Sequence, residues 1–324
     1  MSMEKKREAE FDIAKGILIL CVVIGHGGSD AVADFMYRFH MPLFFILSGY
    51  FMQKHSNVSE YATSQFKKLM IPYFMYMAVD FIFFDHLHNL NRILHYLWGG
   101  RFINGVYWYI TCFYISSVIF VTMLKYFSSR KVVLLSVAGG GIALIESQLL
   151  SAIPLLVKPG IPFDADVVLL CLSYLTMGYY GKQTIDRWRK ADQFQVDFVA
   201  IVIAIILVTE FAVMGGRAID MKQVLYPNLL YNYLIPIGYG LVLLRLCRII
   251  SKRLKRIKCA LQAIGQMTIP IMYLHEPLNR YLQIAQDNIL VYVLIGIGAP
   301  AFFVMLIQRH HWGKYLGVYP LQVD

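Results

Sequence analysis

Lys15 and His26 lie eleven positions apart in the apolar run FDIAKGILILCVVIGH, residues 11–26. Eleven helical steps of about 100° come to about 1100°, so both side chains share one helix face to within about 20°. The rise between them is about 16 Å, half of a bilayer's hydrocarbon core. An ammonium can hold an anion, and an imidazole can take or give a proton near neutral pH. Charge at bilayer depth is expensive, so each such group invites a functional hypothesis. Asp12, three residues before Lys15, shares its face and can pair with it. A simpler reading makes Lys15 a snorkelling anchor and leaves His26 bonded to a neighbouring carbonyl. Gly25, Gly27 and Gly28 favour the first reading, because they let backbone or ligand come close to the imidazole. The expected arrangement puts Lys15 at the cytoplasmic mouth of a cavity, with His26 deep in it or toward its outer side.

The elements that must position these groups follow from composition. Of 324 residues, 58% are hydrophobic and only 15% charged, against about a quarter charged in an ordinary soluble domain. The mean hydropathy is +0.56, which points to lipid as the solvent. Apolar runs fall near 13–27, 35–53, 69–88, 105–124, 131–150, 163–181, 194–214, 224–247, 260–283 and 289–308. They predict an all-α polytopic membrane protein of about ten transmembrane helices. No long linker or fixed-period repeat interrupts them, so residues 1–324 are expected to form a single transmembrane domain.

With the N-terminus inside, 23 of the 30 Lys and Arg residues fall on inner segments, from Lys5, Lys6 and Arg7 to Arg309 and Lys314. The outer seven are Arg38, Arg92, Arg101, Lys158, Arg217, Lys222 and Arg280. That bias predicts an even number of spans with both termini cytoplasmic. The net charge of +10 is therefore assigned to cytoplasmic loops and not to nucleic-acid binding. Lys5-Lys6-Arg7, the run Ile17–Ile24 and Ala31-Val32-Ala33 imitate a secretory leader. The segment is nevertheless read as a retained first span, because a disposable leader has no reason to carry Asp12, Lys15 and His26. Cys21, Cys112, Cys171, Cys247 and Cys259 form no C-x-x-C pair and read as small core residues. No metal-ligand spacing is present, and the pair His310-His311 is read as incidental.

The second run contains FHMPLFFILSGYF, residues 39–51, with Pro42 near its start and Ser48-Gly49-Tyr50 near its inner end. Small residues there permit close helix packing. Lys15 and His26 with ten residues between them are followed in order by this segment and by Trp108-Tyr109. LSYLTMGYYGK (172–182) and IGQMTIPIMYLHEPL (264–278) complete the set. In that ordered set the chain resembles the acyltransferase 3 family of membrane-bound O-acyltransferases over most of its length. It is most similar to short members that acetylate or succinylate sugar hydroxyls of surface polysaccharides. Lys15 stands where most members carry Arg, and Lys67-Lys68 where many carry an Arg pair. Lys keeps the charge but lacks the bidentate fork.

The resemblance implies an enzyme of the bacterial cytoplasmic membrane. It would take acyl-coenzyme A, expected to be acetyl-coenzyme A, as co-substrate from the cytoplasm. The acceptor would be a sugar or glycan hydroxyl on the outer side, and no metal would be needed. Lys15, paired with Asp12, would hold the donor's phosphates together with Lys67 and Lys68. His26 would act as general base or carry the acyl group itself. Ser48, Tyr50 or the amide of a broken helix would donate to the oxyanion. Trp108 and Tyr109 would stack on the sugar or belong to the interfacial belt. His275 and Glu276, with Asp80, Glu146 and Glu210, would shape the acceptor pocket. A carrier for a sugar or a polyprenyl-linked glycan also suits many spans with intramembrane charges, but no two-fold internal repeat supports it. A sensor or scaffold would need a larger loop than any found.

Overall fold

The computed structural model describes residues 8–84, 90–99, 106–149, 161–191, 194–215, 219–283 and 288–322. Among the described residues every regular element is helical, and the one β-bridge, Asp220 with Leu225, closes a turn. The α-helices are α1 (Ala9–Gly27), α2 (Asp30–Tyr37), α3 (His40–Phe51), α4 (Val58–Gln65) and α5 (Ile71–Val79). Then come α6 (Leu90–Trp98), α7 (Tyr107–Tyr126), α8 (Ser129–Leu149), α9 (Val168–Tyr180) and α10 (Lys182–Lys190). The last five are α11 (Phe194–Met214), α12 (Leu229–Arg253), α13 (Lys255–Gln266), α14 (Thr268–Leu282) and α15 (Ile289–Ile307). Each of the ten apolar runs holds a helix. Five of them, α7, α8, α11, α12 and α15, are long and apolar enough to cross a membrane. Helix α1 is of similar length but carries Glu10, Asp12 and Lys15. Lys5, Lys6, Arg7, Arg101, Lys158 and Arg217, used above for orientation, lie outside the described residues. So do the end of the 69–88 run, residue 105 and residue 150.

Two runs expected as single helices are broken, for the same reason. The run 35–53 divides at Arg38-Phe39 into α2 and α3, and Pro42 is the third residue of α3. The run 260–283 divides at Met267 into α13 and α14, and Pro270 is the third residue of α14. A proline at that position has no N–H to give and clashes with the carbonyl four residues earlier, which favours a break in the preceding turn, although Pro236, Pro277 and Pro300 are accommodated inside α12, α14 and α15. Pro72, second in α5, acts more mildly. The turn before it, Phe66–Met70, widens to π-helical geometry and carries Lys67 and Lys68. The run 224–247 becomes helical only from Leu229, where the Asn228 side chain accepts from the Tyr231 amide.

Burial separates inner from outer helices. In the most apolar stretch of α7, 61% of residues are buried, against 11% in α11. Ile201, Ile205 and Val208 of α11 are exposed, an apolar surface that suits lipid and not water. This peripheral helix is clamped near both ends. Near one end Arg245 of α12 donates from Nε and Nη2 to Asp197 Oδ1 at 2.9 and 2.5 Å. Near the other, fully buried Arg38 donates from Nη1 and Nη2 to the Glu210 carboxylate at 2.5 and 3.1 Å. Arg38 also lies 4.9 Å from the centre of the Phe211 ring.

Close backbone approach fixes α1. A Cβ on Gly16 would collide with the Leu261 carbonyl of α13, and one on Gly265 with the Asp12 carbonyl. Gly49 and Gly178 do the same for α3 and α9, facing the carbonyls of Leu175 and Ile46. Cys21, Cys112, Cys171 and Cys247 are buried.

Candidate active site

A cavity of about 390 Å3 follows one face of α1, lined there by Lys15, Ile19, Val22 and His26. Their spacing of four, three and four residues is that of a single helical stripe. Lys15 and His26 thus face one cavity. Lys15 Nζ lies 2.6 Å from Asp12 Oδ1, and the Asp12 side chain is only 3% exposed. Gln266 of α13 approaches the other oxygen of the same carboxylate at 3.4 Å. Thr268 and Ile269, the first residues of α14, also line the cavity, so the break before Pro270 turns a helix start toward it.

Around His26 the neighbours are polar. Glu276 Oε2 is 3.8 Å from His26 Nδ1, too far for a hydrogen bond. The opposite oxygen, Glu276 Oε1, accepts from Arg280 Nη2 at 2.5 Å. The His275 ring stands edge-on to His26 with centres 5.1 Å apart. His275 is fully buried, and its Nδ1 lies 2.9 Å from the carbonyls of both Ile271 and Met272. A carbonyl only accepts, so Nδ1 carries the proton. That leaves His275 Nε2 a buried lone pair without a partner among the described residues. The uncommitted oxygen of Glu276 is likewise buried without a hydrogen bond. On the other side Tyr37 stands 6.2 Å from His26 and 5.3 Å from His40, ring centre to ring centre.

Of the other expected residues, Ser48, Trp108 and Tyr109 line this cavity. Ser48 Oγ donates to the Phe44 carbonyl at 2.7 Å, so its hydrogen must turn before it can serve a ligand. Tyr50 is not brought to the cavity. It follows Ser48 by two residues, about 200° round the helix, and its hydroxyl donates to Asp186 of α10 at 2.6 Å. There Arg189 joins Asp186 to Glu10 at the start of α1. Partial burial works to raise the Asp186 carboxyl, but the bonds from Tyr50 and Arg189 hold it below the usual carboxylate range.

Lys68 faces a second cavity of about 530 Å3, with His55, Asn57, Glu60, Tyr61 and Gln65 on its wall. The two cavities meet at Ser48 and Phe113, which line both. Lys67 is exposed on α4's flank and lines neither of these cavities. Asp80 accepts from Tyr96 at 2.8 Å, and Glu210 belongs to the Arg38 clamp; neither these nor Glu146 lines the main cavity.

Several cavity residues escaped the sequence reading. His40 is 2% exposed, and its Nδ1 donates to the Met36 carbonyl at 2.6 Å. Its position inside an apolar run was a usable signal. Asp220, Lys222 and Gln223 gave none, because a short polar stretch between apolar runs reads as surface loop.

The fold and site define an all-helical membrane protein in which an ammonium and an imidazole share one elongated cavity. The chain belongs to the acyltransferase 3 family, described as an acyltransferase domain, whose match spans residues 8–309. It is also similar to the Nodulation protein NolL of Mesorhizobium japonicum, at 27% identity over 203 residues. That similarity covers 56% of this chain and 51% of the relative, so the chain spans about half the length of the curated protein it matches. No solved structure matches the chain.

Proposed function

We propose that this protein is a ten-span acyltransferase of the bacterial cytoplasmic membrane with both termini inside. It moves an acetyl group from acetyl-coenzyme A to a hydroxyl of a sugar or glycan on the far side. The observation that carries this reading is the cavity along α1, with Lys15 and His26 about 16 Å apart on one stripe. That span is comparable with the reach of a pantetheine arm. The polar second cavity, which shares the wall residues Ser48 and Phe113 with the first, is the room for the donor's nucleotide end. Lys68 on its wall and Lys15 on the wall of the first cavity attract the phosphates. The start of α14 adds the positive end of a helix dipole near Lys15.

In this reading His26 takes the proton of the acceptor hydroxyl as its oxygen attacks the thioester carbonyl. The C–S bond then breaks, and the leaving thiolate receives that proton from the imidazolium. Glu276 closes its 3.8 Å gap to accept from His26 Nδ1, which leaves Nε2 as the basic nitrogen. Trp108 and Tyr109 offer faces to the sugar. Tyr50 has no part in the transfer, and Lys67 contributes only long-range attraction.

Purified protein in sealed vesicles tests this. With labelled acetyl-coenzyme A on one side and a hydroxyl acceptor on the other, label must become covalently attached across the bilayer, and His26→Ala must slow attachment by about a hundredfold or more. Movement of sugar without covalent change would instead mark a carrier.

A further inference from the structure

At the His26 end of the cavity the chain from 219 to 226 folds into a turn. Its sequence suggests a surface connection, yet Ile219, Met221, Val224 and Tyr226 are each at most 2% exposed. Asp220 and Leu225 exchange backbone hydrogen bonds of 3.1 and 2.9 Å, and Asp220 Oδ1 accepts from the Gln223 amide at 3.0 Å. The Tyr226 amide donates to Ser147 Oγ of α8 at 2.8 Å. Val224 is held at φ 54°, a left-handed conformation that a β-branched residue avoids.

Its polar residues face the cavity beside His26. Lys222 is half-buried there and makes no ion pair among the described residues. Lys15, at the other end, is already paired with Asp12. A lysine withdrawn from water without a carboxylate is uncommon, and an anion on the ligand would supply the missing partner. We propose that this turn recognises the acceptor, and that Lys222 binds an anionic group, phosphate or carboxylate, on the sugar that carries the reacting hydroxyl. The inference rests on the acyl-transfer reading, because that reading makes the His26 end the acceptor end.

The test is direct binding, followed by tryptophan fluorescence with Trp108 as the reporter in the cavity wall. Purified full-length protein is titrated with glucose 1-phosphate, glucuronate and methyl glucoside. At least one anionic sugar should bind about tenfold or more tightly than the neutral one. Which anion binds better tells phosphate from carboxylate. Lys222→Ala should erase that preference and Lys222→Arg should keep most of it, each with unchanged elution and melting. Equal binding of all three sugars, binding of none, or a preference that survives Lys222→Ala would overturn the proposal. His26→Ala should retain the preference even though its acetyl transfer is slowed by about a hundredfold or more. A protein that prefers anionic sugars but transfers nothing would therefore refute the acyl-transfer reading and leave the anion site standing.

Discussion

Breaking the Arg38–Glu210 pair from its two sides should have unequal cost. Arg38 has no exposed surface, whereas the Glu210 side chain is 22% exposed and also accepts from the Tyr231 hydroxyl at 2.5 Å. Glu210→Ala strands a guanidinium among Phe211, Tyr231 and the backbone, a loss of about 3–5 kcal/mol for an uncompensated buried charge. Arg38→Met leaves a carboxylate that keeps Tyr231 and some water, so its cost should be about 1–3 kcal/mol. Replacing both, as Arg38→Met with Glu210→Leu, removes both charges and should recover most of the loss. Reversible unfolding of micelle-bound protein by denaturant gives the three differences. The site should feel the same change. Arg38 sits in the break between α2 and α3, with Tyr37 before it and His40 two residues after, so loosening the clamp should also weaken ligand binding in the cavity. Additive losses in the double variant, or Arg38→Met costing more than Glu210→Ala, would refute the reasoning.

Three further outcomes follow from the structure. Gly265→Leu should prevent α13 from seating on α1, because its Cβ meets the Asp12 carbonyl; the readout is loss of monodisperse protein, and a normally eluting, normally melting variant contradicts it. Asp186, held below the ordinary carboxylate pKa, stabilises the fold fully above about pH 4 and loses that contribution as the pH falls through the lowered value. The melting difference between wild type and Asp186→Asn should therefore shrink on acidification, and a constant difference would count against the network. Glu276→Gln should lower the rate of acetyl transfer by about tenfold to a hundredfold while donor binding, read by isothermal titration with coenzyme A, stays within about twofold of wild type. An equal loss in both would make Glu276 a structural residue.

Much of the fold was legible because helices in lipid must satisfy their own backbone, so apolar runs mark them directly. The stripe holding Lys15 and His26 was readable from helical period alone. The breaks at Arg38-Phe39 and Met267 lie just before Pro42 and Pro270, but Pro236, Pro277 and Pro300 sit inside unbroken helices, so proline alone did not tell which runs divide. Tyr50 was misplaced for a related reason, since the same period that joins Lys15 to His26 turns Tyr50 away from Ser48. In the sequence Arg38 and Arg245 counted among the charges that set orientation, with no partner in view. Their role as buried clamps depends on Glu210 and Asp197, partners that lie 172 and 48 residues away. The turn around Lys222 is the extreme case: nothing local distinguishes a buried turn from a wet one.

The division of labour along α1 is the central claim, and steady-state kinetics with acetyl-coenzyme A test it most directly. Lys15→Ala should raise KM for acetyl-coenzyme A by about tenfold or more with kcat largely kept, because it removes donor attraction. His26→Ala should lower kcat by about a hundredfold or more with KM little changed, because it removes the base. Equal effects of both variants on both constants, or a His26→Ala protein that still transfers acetyl at the wild-type rate, would contradict the claim.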